Sequence, residues 1–112
     1  MVGFFAAIAS PADAENGMGK GYGPCWDIAT PAERALMKNE SRGWPSADNP
    51  NSSAFGCGQL LSGNRRLYAE QCNTSPVTLD ANDSMCLMRA YIADRYGSAG
   101  RALSFRQRNG WY

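Results

Sequence analysis

Glu40-Ser41-Arg42-Gly43-Trp44-Pro45 leads through Asn49-Pro50 into Ala54-Phe55-Gly56-Cys57-Gly58-Gln59, and the other elements fall into place on either side of this run. Just upstream, Thr30-Pro31-Ala32-Glu33 carries the marks of a helix start. Thr30 caps, Pro31 suits the first helical position, and Glu33 completes a capping box. The helix predicted from there extends to about Ser41, where Gly43 and Pro45 stop it. Ala32, Leu36 and Met37 form its buried stripe, and Glu40, one turn beyond Leu36, falls on the same side. With Trp44 and Phe55 in the following loop to keep water away, such a carboxyl would hold its proton near neutrality, where an exposed glutamate of pKa about 4.3 is ionised.

Between Gly43 and Gly58 the density of Pro, Asn, Ser and Gly predicts an irregular loop or a short β-hairpin. A loop of this length in a small domain is more often functional than idle. Downstream, the pattern predicts a short helix over Asn64 to Gln71 and a loop through Pro76. A longer helix follows from about Ala81 to Tyr96, capped near Asp80, with Met85, Met88, Tyr91, Ile92 and Tyr96 on one stripe. Gly97 ends it, Ser98 caps a last helix, and Gly110 terminates that one. The fold class is therefore mainly α.

Upstream, residues 15–24 hold Gly17, Gly19, Gly21, Gly23 and Pro24 and read as a mobile Gly-rich connector. Residues 1–14 hold an apolar run, Val2 to Ala9, and a small-x-small pattern at Ala12-Asp13-Ala14. They read as a truncated signal segment or an apolar first helix, too short to span a bilayer. Residues 25–112 form the domain.

At 112 residues the chain is one small domain near the lower end of what buries a self-sufficient core, so cross-links would help it. A net charge of +1 argues against a nucleic-acid binder that works by neutralising phosphates. Arg89, Arg95, Arg101, Arg106 and Arg108 gather in the last quarter, where a solvated helix surface is the plainer reading than a binding face. The chain has no histidine, which excludes serine-histidine and cysteine-histidine catalysis and disfavours the usual zinc sites. Its four cysteines, Cys25, Cys57, Cys72 and Cys86, are spaced for disulfides rather than a zinc knuckle. Three pairings exist; Cys72 with Cys86 and Cys25 with Cys57 is favoured, because the first staples a Thr/Ser/Pro loop to the helix after it.

The order Glu-Ser, Trp-Pro, Asn-Pro, Ala-Phe-Gly-x-Gly-Gln resembles the catalytic core of the soluble lytic transglycosylases, lysozyme-like enzymes that cleave peptidoglycan. Tyr91-Ile92-Ala93-Asp94-Arg95-Tyr96-Gly97, Ala102-Leu103-Ser104-Phe105 and Gly110-Trp111-Tyr112 resemble the last two helices and the end of small bacterial and phage members. The likeness spans roughly Ala29 to Tyr112. It implies a lysozyme-like α+β domain in which Glu40 acts first as acid and then as base on the MurNAc-GlcNAc bond, leaving 1,6-anhydro ends. It further implies that Ser41 supports Glu40, that Asn49 meets an N-acetyl group, and that Gln59 lines the cleft. Trp44, Phe55, Gly56, Gly58 and Tyr91 complete the expected substrate-binding set. Gly56 and Gly58 would let backbone approach sugar.

No metal or organic cofactor is implied, and the expected partner is the peptidoglycan glycan strand, engaged by a monomer with no nucleic-acid partner and no stable membrane span. Secretion, a periplasmic or envelope location, or association with a virion would suit such an activity. Two rivals stand beside it: a hydrolase of the lysozyme type in which Asp48 positions water, and a non-catalytic wall-binding or structural module of a phage or secretion apparatus.

Overall fold

The computed structural model describes residues 17–112, so the reading of residues 1–14 and the start of the connector lie outside the described residues. Among the described residues five helices surround one core: α1 (Pro24–Asp27), α2 (Pro31–Met37), α3 (Ser62–Ala69), α4 (Ala81–Arg95) and α5 (Ala99–Asn109). The protein is thus a small, mainly α domain. Helix α4 is its axis, packing against α1, α3 and α5, while α5 also packs on α2.

Local chemistry fixes where these helices begin. At α2 both capping-box bonds are made: the Glu33 N–H donates to Thr30 Oγ1 at 3.2 Å and the Thr30 N–H to Glu33 Oε1 at 2.8 Å. The Asp80 carboxylate accepts the Asp83 N–H at 2.9 Å to open α4, and Ser98 accepts the Arg101 N–H at 3.2 Å to open α5. Gly110, at φ 83°, closes α5 in the left-handed conformation that glycine adopts without steric cost. The expected stripe of α4 is buried at Met85, Met88, Tyr91 and Ile92. Leu87 and Ala90 are buried too, since a central helix is covered on more than one side.

Helix α2 departs from expectation, ending at Met37 rather than near Ser41. The N–H groups of Glu40 and Arg42 both return to the Met37 carbonyl, at 3.0 and 2.9 Å, and Arg42 and Gly43 then take positive φ, 50° and 82°. Arg106 of α5 donates to the carbonyls of Ala35 and Leu36 at 3.1 and 2.8 Å, replacing the bonds a further helical turn would have supplied. Glu40 therefore sits in a turn after the helix, not on it. Helix α3 begins at Ser62 and ends at Ala69, two residues earlier than expected at each end.

Residues 43–60 form an irregular loop with isolated antiparallel bridges, Asp48 to Phe55 and Phe55 to Leu60. Against it lies the glycine-rich segment, which is packed and is not the free connector expected. The Gly23 N–H donates to the Arg42 carbonyl at 2.8 Å, Trp44 Nε1 to the Gly21 carbonyl at 3.0 Å, and the Ser46 hydroxyl to the Gly17 carbonyl. Met18 is buried. A Cβ on Gly23 would lie 2.5 Å from the Gly43 carbonyl oxygen, so glycine here serves close backbone approach rather than slack.

Two disulfides fasten the fold. Cys25–Cys57 ties α1 to the loop, and Cys72–Cys86 ties the segment after α3 to α4.

Candidate functional site

Glu40 is 4 % exposed. Burial lifts its carboxyl from the ordinary 4.5 to about 7, and the Arg106 guanidinium pulls the other way. Among the described residues its side chain takes no hydrogen bond, so burial acts on it unopposed by a donor that would favour the ionised form.

The turn that carries Glu40 is held from three directions. The buried Ser41 hydroxyl donates to the Cys57 carbonyl at 2.6 Å and accepts the Gly43 N–H at 3.1 Å. Cys57 is in turn fixed by its disulfide and by its N–H, which donates to Ser84 Oγ of α4 at 3.0 Å. One residue further, the Gly58 carbonyl accepts the Tyr112 hydroxyl at 2.8 Å. Tyr112 is buried at the end of the chain, and burial followed by the nearby Glu40 charge pushes its phenol well above the ordinary value. Glu40, Arg106 and Tyr112 therefore share one neighbourhood. Sequence reasoning gave neither Arg106 nor Tyr112 a role at the acid. The available signals were Arg106 lying one turn from Ala102 on the inward side of α5, and an aromatic residue following the helix-stopping Gly110.

Behind Tyr112 lies an aromatic cluster. Tyr91 meets Tyr112 edge-on at 5.9 Å between ring centres, Tyr68 at 6.5 Å and Tyr96 at 6.2 Å. Tyr91, expected to bear on the site, is fully buried and is charge-coupled to Tyr112. The Tyr91 and Tyr96 hydroxyls neighbour each other, but neither makes a hydrogen bond of normal geometry. Burial, then the adjacent Tyr96, raises the Tyr91 phenol.

The two rings expected to keep Glu40 dry also pack on other residues. Trp44 packs over Gly19 and Gly23, and Phe55 lies beneath the Arg65 guanidinium at 5.4 Å. Gln59 is buried inside the loop rather than lining a cleft: its amide donates to the carbonyls of Ala47 and Gly56 at 3.0 and 2.9 Å, bracing the turn. Gly56 and Gly58 lie close against α4 and, with Phe55, line a small pocket. A Cβ on Gly58 would sit 2.9 Å from Met88 Cβ and one on Gly56 3.1 Å from Ser84 Oγ, so the loop closes onto the helix because these positions lack side chains. Asn49 is buried and accepts the Asn51 N–H through Oδ1 at 2.9 Å. Asp48 is exposed at the Phe55 bridge, its charge felt by Arg65.

No group of three or more His, Cys, Asp or Glu residues able to hold a metal occurs among the described residues, and no helix there is long and apolar enough to cross a membrane. Of the five C-terminal arginines, two are consumed internally: Arg89 pairs with Glu33 at 2.8 Å, and Arg106 closes α2. No family model, curated protein or solved structure matches the chain.

Proposed function

We propose that the protein cleaves the glycan strands of peptidoglycan as a lytic transglycosylase, with Glu40 as its single acid and base. The observation that carries this reading is a buried, unbonded carboxyl poised at about 7. At neutral pH such a group exists in comparable amounts as acid and as carboxylate, which suits a residue that must give a proton and then take one. In the first step Glu40 protonates the bridging oxygen as the bond to the muramic acid C1 breaks, and positive charge builds at that carbon. The Glu40 carboxylate then takes the proton of the same sugar's 6-hydroxyl, whose oxygen bonds to C1. A 1,6-anhydro ring forms, no water is consumed, and Glu40 is again protonated. Arg106 favours the carboxylate between the two steps.

The rival hydrolase needs a second carboxylate beside the sugar. Asp48 is exposed and coupled to Arg65, so the single-acid reading is preferred. Two disulfides suit an oxidising compartment, and secretion, the envelope or a virion supplies one.

Glu40→Gln keeps the shape of the side chain and removes its proton chemistry. Clearing of purified cell walls is expected to fall by about 10³-fold or more, with circular dichroism unchanged and 1,6-anhydro ends lost from the mass spectrum of the digest. Undiminished clearing by the variant overturns the proposal, and reducing ends in the wild-type digest replace it with hydrolysis.

A further inference from the structure

Three arginines remain once Arg89 and Arg106 are accounted for, and they share one trough. Arg95 closes α4, while Arg101, Ser104, Phe105 and Arg108 follow at positions i, i+3, i+4 and i+7 on one face of α5. Arg101 and Arg108 are exposed and stand two helical turns apart, roughly 10 Å at 1.5 Å per residue. Among the described residues none of the three has a carboxylate partner. The nearest acid in sequence, Asp94, accepts the Tyr68 hydroxyl. Three unneutralised cations along one open trough repel one another, and an anion placed among them relieves that repulsion through charge-assisted hydrogen bonds.

The floor of the trough is aromatic. Tyr96 and Phe105 meet at 5.3 Å between ring centres, and Trp111 stands edge-on to Phe105 at 4.9 Å. Tyr96 also packs on Tyr112 at 6.3 Å, the ring coupled to Glu40, so the trough backs onto the wall of the candidate site. Arg95 is held in place, its guanidinium 5.7 Å from the Tyr91 ring centre.

We propose that this trough binds the carboxylates of the peptide stems that hang from the glycan strand, a choice of polymer that rests on the transglycosylase reading. The ligand chemistry is a set of separate anionic oxygens carried on a chain with small aliphatic groups. Guanidinium forks match the oxygens, and the aromatic floor matches the aliphatic groups. Phosphates of other wall polymers share the anionic oxygen. Stem carboxylates are preferred because they are few and spaced, like the three arginines, whereas a continuous polyphosphate favours a far more basic protein than one of net charge +1.

The test measures co-sedimentation in the Glu40→Gln background, which leaves the polymer uncut. It compares a triple Arg95→Gln/Arg101→Gln/Arg108→Gln variant with its parent, and the double Arg101→Gln/Arg108→Gln variant guards against loss of the Arg95 stacking. Three materials are used: intact walls, walls freed of phosphate polymers with hydrofluoric acid, and glycan strands freed of peptide with an amidase. Binding of the parent to acid-treated walls is expected to weaken with salt and to fall roughly tenfold or more in both variants, while binding to peptide-free strands does not change. Equal binding of parent and variants to acid-treated walls overturns the proposal. So does a difference confined to walls that keep their phosphate polymers. Arginine-dependent binding by a protein whose wild type cleaves none of the three materials supports the trough and removes only the Glu40 reading.

Discussion

At ordinary solvation a glutamate at pH 7 is ionised by roughly 500 to one, yet Glu40, at about 7, divides almost evenly between its two forms. That shift has a consequence for stability whose sign is fixed. Below pH 4.5 the folded and unfolded chains are both protonated at this position. As pH rises from 4.5 to about 7 the unfolded chain releases its proton while the folded one keeps it, so folding loses up to about 3 kcal/mol across that window. Glu40→Gln has no such proton to lose. Urea melts are expected to find it level with wild type near pH 4 and more stable near pH 8, and parallel pH profiles for the two proteins rule this out. The burial of Glu40 was expected from a helix stripe, whereas the residue sits in the turn beyond Met37. Its surroundings were not legible, because Arg106 and Tyr112 reach it from positions more than sixty residues away, and no local pattern encodes that approach.

Elements were read best where a side chain bonds to its own backbone. Thr30, Asp80 and Ser98 announce their helices through single hydrogen bonds that depend only on nearby sequence. The end of α2 was misplaced because a distant arginine, not a local stop signal, occupies its last carbonyls. The same contrast governs the glycines. Gly58 was expected to let backbone approach sugar; in the fold its missing side chain also admits Met88 of α4. Gly58→Ala is therefore expected to cost about 1 to 3 kcal/mol by overpacking. Gly63→Ala, inside α3 with nothing within 4 Å of the added carbon, is expected to gain about 0.5 to 1 kcal/mol. Thermal melts of the two variants should move in opposite directions, and a shared direction would refute this account of Gly58.

For the whole molecule, size makes the cross-links matter. The Cys72–Cys86 and Cys25–Cys57 bridges close loops with sequence separations of 14 and 32, corresponding to about 3 and about 4 kcal/mol in the chain-entropy account. Paired Cys→Ser variants are expected to lose stability in that order under denaturant. Equal stability with and without reductant would dismiss both bridges as supports. The mainly helical class was legible from caps and periodicity. The packing of the glycine-rich segment was not, since sparse side chains signal freedom to a reader of sequence and close contact to the folded backbone.

The bridge at Cys57 and the phenol at Tyr112 hold neighbouring links of the same loop, and Ser41, next to Glu40, bonds to the first of them. With the cysteines reduced and Tyr112 undocked, an unfolded chain presents at position 40 only an ordinary exposed carboxyl. The raised carboxyl is therefore a property of the closed fold and not of position 40 in the open chain.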